Sequence, residues 1–302
     1  MSAVGGIYAT NCTGKIDNIS LVLGGYSVEQ TEAYQSQLAL LQKQGHLASA
    51  KTSRNGFRRN YKLKNDYFGS RVLLSTVSVS KNGPAVRIEF NPAKIGPSKT
   101  KQVLLFVAEN VLAGGAKELF EHAKVTRFDV AYDLHGLSLS DAFFWSEKAI
   151  SSQTFNSVGM RTETLVFNQT KRRQVVVYDK AVEQLIKCGK HSSTPWTRIE
   201  VRKRNAGQLS QLKKTKCPML DFRVSVRKKP SALSETAWVL LKNCIGPATL
   251  QSVLAQLPVA KRADIINSFK GHPVSAWNPE KLWKVWPEIV ENSGLLSVKG
   301  GC

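Results

Sequence analysis

The amino-acid sequence predicts an α+β protein: a mostly antiparallel sheet with helices on one face, in the order β-α-β-β-α-β, and a small C-terminal helical domain. Three observations carry this. Several short stretches alternate apolar with polar side chains, the period of a strand with one covered face. Stretches of helical spacing separate them. After "RKKP" at 227–230 the pattern becomes helical throughout. The expected division is a first domain over 1–229 and a helical domain over 230–302.

The elements follow in chain order. KIDNISLVLGG (15–25) reads as a strand closed by a Gly-Gly turn. Ser27 can then cap a helix over EQTEAYQSQLALLQKQG, with Gly45 as its stop. AVRIEFNP (85–92) is a strand ended by proline, and TKQVLLFVAENVLAGGAKELFEHAK (100–124) is a helical stretch broken at Gly114-Gly115. RFDVAYDLHG (127–136) is the longest alternating strand. LSLSDAFFWSEKAI (137–150) reads as a helix capped by Ser140. TETLVFN (162–168) and RRQVVVYDK (172–180) read as strands, AVEQLIKCGK (181–190) as a helix and WTRIEVRKRN (196–205) as a strand. Four helical runs follow between 231 and 290, where Trp277, Trp283 and Trp286 are expected to form the core of the helical unit.

A chain of 302 residues can bury a sizeable core. Its formal charge of +21 points to a polyanionic partner. Residues 161–230 carry 18 Lys and Arg against 5 Asp and Glu, and residues 51–71 carry 7 against 1. The second of these stretches interleaves its cations with Phe57, Tyr61, Tyr67 and Phe68. That mixture suits base stacking beside phosphate contacts, and equally a basic hairpin whose aromatics pack inward. No stretch approaches the roughly 18–20 apolar residues of a membrane span, and the start lacks a signal-peptide pattern, so a cytoplasmic protein is expected. Cys12, Cys188, Cys217, Cys244 and Cys302 are scattered with no Cys-x-x-Cys spacing, which predicts free thiols and argues against a zinc site.

Alternation within the strands gathers a polar face. Asp129 and Asp133 share one side of their strand; Arg87 and Glu89 share a side, as do Arg198, Glu200, Arg202 and Arg204; Tyr178 and Lys180 fall together opposite Val177 and Asp179. Carboxylates on a basic protein suit a hard divalent cation, Mg²⁺ or Mn²⁺, with Asp129, Asp133, Glu200 and Glu89 as candidate ligands. A tyrosine beside them can attack a phosphodiester if Lys180 or a metal favours its phenolate. The competing arrangement is a lattice of arginine–carboxylate pairs across neighbouring strands.

The motifs TRFDVAYDLHG, VVVYDKAVEQ and PWTRIEVRKRN, in this order, resemble the replication initiation factor (Rep_trans) family, with KIDNISLVL and VRIEFNP also fitting its pattern. That family includes initiators of rolling-circle plasmids, relaxase-like proteins of integrative elements and replication proteins of filamentous phages. The likeness spans roughly 15–227. It implies a metal-dependent endonuclease and transesterase that nicks one DNA strand at an origin, keeps the 5′ phosphate on a tyrosine and later rejoins the ends, in a bacterial cytoplasm. Its partner would be single-stranded or melted origin DNA, with a host helicase as a further candidate. Onto this chain the family pattern carries Asp129, Asp133, Tyr178, Asp179, Lys180, Arg198 and Glu200. The family's Tyr-hydrophobic-Gly-Ser step is TLVFNQT here, with Val166 where that tyrosine would align. Tyr178 is therefore the candidate nucleophile, Lys180 its companion and Tyr132 the fallback. His135 is either an auxiliary ligand or a plain turn residue. Arg58, Arg59, Lys62, Arg87, Arg127, Lys171, Arg172, Arg173, Arg198, Arg202 and Arg204 are the expected DNA contacts. The alternative function is a non-catalytic, basic DNA-binding regulator of a phage or plasmid, which would have no reason to aim acids at phosphates.

Overall fold

A computed structural model of the chain describes residues 12–50, 57–64, 72–78, 85–156, 162–170, 172–229, 233–244 and 250–297. The fold is α+β, a multi-stranded antiparallel sheet flanked by helices, with further helices in the C-terminal part. The chain divides into two compact units, and β6 (Lys124–His135) and β11 (Trp196–Gln208) each contribute to both.

One unit comprises 15–130, 203–216 and 285–302. Its strands are β1 (Cys12–Gly24), β2 (Leu47–Ser49), β3 (Phe57–Leu63), β4 (Leu73–Ser78), β5 (Ala85–Phe90) and the first part of β6, in the order β2-β3-β4-β5-β1-β6. β1 pairs antiparallel with β5, Ser20 facing Glu89 and Val22 facing Arg87. Helix α1 (Val28–Lys43) begins as its sequence predicts. Ser27 Oγ accepts from the Gln30 amide at 3.2 Å, and Gln30 returns a bond to the Ser27 amide at 2.9 Å. Thr31, Tyr34, Leu38 and Leu41 form its buried stripe. After the short α2 (Pro92–Ile95), the break at Gly114-Gly115 separates α3 (Pro97–Asn110) from α4 (Gly115–His122), where Gly115 takes φ +59°. Trp286 is buried here, stacked on Phe128 at 5.0 Å, and its indole N–H donates to the Leu212 carbonyl at 2.8 Å.

The other unit comprises 1–14, 131–202 and 217–284. The second part of β6 is followed across the sheet by β11, then β10 (Arg173–Asp179), β9 (Thr162–Thr170) and β8 (Ser151–Asn156). A separate two-stranded ribbon pairs β7 (Ala142–Ser146) with β12 (Phe222–Val226). The segment 137–150 is thus not the helix its sequence suggested. A 3-10 turn over Leu139–Asp141, capped by Ser138 instead of Ser140, leads into β7, whose residues are all buried. A short continuous apolar run such as AFFW has no readable period, so β12 and the helices packed on the ribbon decide its conformation. Phe143 and Trp145 of β7 cluster with Leu241 of α6 (Glu235–Cys244), Leu250 and Leu254 of α7 (Leu250–Leu254), and Ile265 and Phe269 of α8 (Val259–Lys270). Trp277 packs edge-on against Tyr132 and Phe222 and donates to the Phe222 carbonyl at 3.1 Å. Trp277 and Trp286 thus each pack on strand residues of their own unit. The last helices are α9 (Pro279–Lys284) and α10 (Trp286–Asn292). No helix among the described residues is long and apolar enough to cross a membrane.

Candidate functional site

Tyr178 stands near the end of β10, opposite Thr164 of β9; one pleat along, Val166 faces Val176. Asp179 then ends the strand by capping α5 (Lys180–Cys188), accepting the Val182 amide at 3.0 Å, and Gly189 closes the helix at φ +64°. Lys180 is accordingly the first helical residue, not a strand residue as alternation implied. It is nearly buried, forms an ion pair with Glu183, and its Nζ lies 5.7 Å from the centre of the Tyr178 ring. Glu183 also accepts from Lys187 at 2.5 Å.

On β11 the buried Arg198 makes a forked bond to Asp133 of β6, Nε to Oδ1 at 2.6 Å and Nη2 to Oδ2 at 2.8 Å. Burial raises the pKa of the Tyr178 phenol, the nearby Arg198 charge lowers it, and Glu200 and Glu183 push it up again. Glu200 and Arg202 approach to 3.9 Å, and Arg202 donates to Gln174 at 2.9 Å. Tyr178 is half-buried, whereas Tyr132 has no exposed surface, its hydroxyl finds no partner among the described residues, and burial raises its pKa. Cys12 is a half-buried thiol pushed up to about 12, first by burial and then by the Asp133 charge.

The other expected ligands belong to the unit containing 15–130. Arg127 holds both oxygens of Asp129, Nε to Oδ1 at 2.8 Å. Arg87 pairs with Glu89, and its Nε donates to Ser20 at 3.0 Å; Asn18 donates to Glu89 at 3.3 Å. Asp129 and Asp133 are both buried, so neither lies on a wet face. Asp133, Asp129 and Glu89 thus each meet a guanidinium. A Mg²⁺ or Mn²⁺ cradle needs oxygens turned to a common point. Among the described residues no group of three His, Cys, Asp or Glu is gathered to hold a metal ion, and the carboxylates as they stand do not fit one.

The expected DNA contacts divide the same way. Arg87, Arg127, Arg173, Arg198 and Arg202 have protein partners, Arg173 bonding Asp221 and the Pro218 carbonyl. Lys62, Arg172 and Arg204 are exposed. Arg58 and Arg59 lie on β3 with side chains not described, and Lys171 lies outside the described residues, as do 51–56 and 65–71 of the basic aromatic stretch. Within that stretch Tyr61 is buried. Two features escaped sequence reasoning. The Arg173–Asp221–Ser146 network joins elements far apart in the chain, with no local signal. Trp196 packs against His135 with ring centres 4.8 Å apart, and its parity with Arg198 was the one clue to its face.

No family model matches this chain, and no curated protein matches it.

Proposed function

We propose that this protein is a DNA nicking-joining enzyme of the rolling-circle initiator type, with a relaxase-like fold and Tyr178 as its nucleophile. The observation that carries the reading is a half-buried phenol within the field of a guanidinium that Asp133 holds in a fork. The phenolate oxygen attacks the scissile phosphorus, the P–O3′ bond breaks, the 3′ oxygen takes a proton, and the 5′ phosphate stays esterified to Tyr178. Attack by a 3′-hydroxyl reverses the step and releases the phenol. Arg198 stands where negative charge grows on the phenol and phosphate oxygens, a preorganised cation of the kind that stabilises such transition states. Burial opposes ionisation of Tyr178, and the Arg198 charge works against that opposition; the Lys180 Nζ lies 5.7 Å from the centre of the Tyr178 ring. The substrate is single-stranded or melted origin DNA in a bacterial host. The arginine partners of Asp133, Asp129 and Glu89 favour a second reading, a non-catalytic DNA-binding regulator.

The test is covalent attachment. Purified protein is incubated with single-stranded oligonucleotides tiled across its replicon, with Mg²⁺ or Mn²⁺ and with chelator, and adducts are resolved on denaturing gels. The wild type and Tyr132→Phe are expected to form the adduct; Tyr178→Phe is expected to lose it while still binding DNA. An adduct in Tyr178→Phe would reassign the nucleophile. Binding without an adduct under every condition would establish the regulator.

A further inference from the structure

We infer that His135 and Trp196 form a stacking platform for one unpaired base of single-stranded DNA; its placement beside the scissile phosphate rests on the reading of Tyr178 above, whereas the stacking does not. His135 is the last residue of β6 and is exposed; Trp196 is the first of β11 and is partly exposed. Their rings lie 4.8 Å apart between centres at an interplanar angle of 31°, close to a stack. The guanidinium carbon of Arg198 is 5.9 Å from the Trp196 ring centre, and the charge of that guanidinium acts on the Tyr178 phenol. Imidazole, indole, guanidinium and phenol therefore follow one another within a single unit.

Each feature suits a base more than packing alone. An exposed imidazole laid on an indole offers its outer face to a flat π-system, and a guanidinium near the indole adds cation–π attraction. Bases in a duplex already have both faces stacked, so a platform of this kind selects an unpaired base and tolerates its identity.

The platform is tested in the Tyr178→Phe background, where binding is read without cleavage, using an oligothymidylate and an abasic oligonucleotide of the same length. The parent should bind the oligothymidylate more tightly. His135→Ala and Trp196→Ala should each weaken it roughly 5- to 100-fold, the span of base–aromatic stacking on alanine substitution. The abasic strand and the salt dependence should change little, and Trp196→Phe should restore most of the loss. Equal weakening for both oligonucleotides, or none for either, would overturn the platform. Because His135 is exposed, its variant keeps the test decisive if Trp196→Ala fails to fold. Base-dependent binding by a wild type that forms no adduct would overturn the nicking reading and leave the platform standing.

Discussion

In the unit built on 15–130, the buried Asp129 and the half-buried Glu89 meet arginines of their own strand two residues away, Arg127 and Arg87. In the other unit the carboxylates reach across the structure: Asp133 takes Arg198, 65 positions distant, and Asp221 takes Arg173, 48 positions distant. The same two residue types do different work. A pair within one strand neutralises a charge locally, and its links to the next strand are single bonds, as Arg87 to Ser20 and Asn18 to Glu89. A forked pair between neighbouring strands ties β6 to β11 and fixes the guanidinium whose charge acts on Tyr178. Its loss also leaves a charge with little water, since the two side chains are 5% and 4% exposed, whereas Arg127 is 25% exposed.

That contrast sets the expected ranking of three variants. Asp133→Ala strands the Arg198 guanidinium in the interior and should cost about 3–5 kcal/mol, read as a fall in the urea midpoint at unchanged slope. Asp129→Ala should cost less, about 1–3 kcal/mol, because Arg127 can turn toward water. Equal losses from the two would break the comparison. Glu183→Gln is the smallest, about 1 kcal/mol, since the amide oxygen can still accept from the nearly buried Lys180, and it sharpens the point: this ion pair is local to α5 yet lies in the unit with the long-range pairs.

Its pH dependence has a definite sign. Burial pushes the Glu183 carboxyl up, but hydrogen bonds and charge from Lys180 and Lys187 prevail and hold it below its ordinary value of 4.5. The ionised form is favoured by folding, so its contribution is full above that value and is lost as pH falls through the depressed one. Stability measured across that acid range should decline less steeply in Glu183→Gln than in the wild type.

Local chemistry was legible in the sequence where it closes within a few residues. The Ser27–Gln30 capping box, the Gly114-Gly115 break and the strands at 85–90, 173–179 and 196–208 all follow from side chains near in the chain. Parity also put Asp133, Arg198 and Tyr178 on polar faces, and the contacts join them. It failed at Lys180, because Asp179 caps a helix there and ends the alternation. It failed as well at 142–146, where a short apolar run takes its conformation from β12.

By itself, then, the sequence determined the α+β class, the positive charge and which side of each long strand is polar, since these depend on composition and on the two-residue period of a strand. Which polar groups meet across strands was decided only by the tertiary structure. Period and composition carry no register, and it is register that gave Asp133 a guanidinium in place of open oxygens, brought that guanidinium to Tyr178, and set Trp196 beside His135.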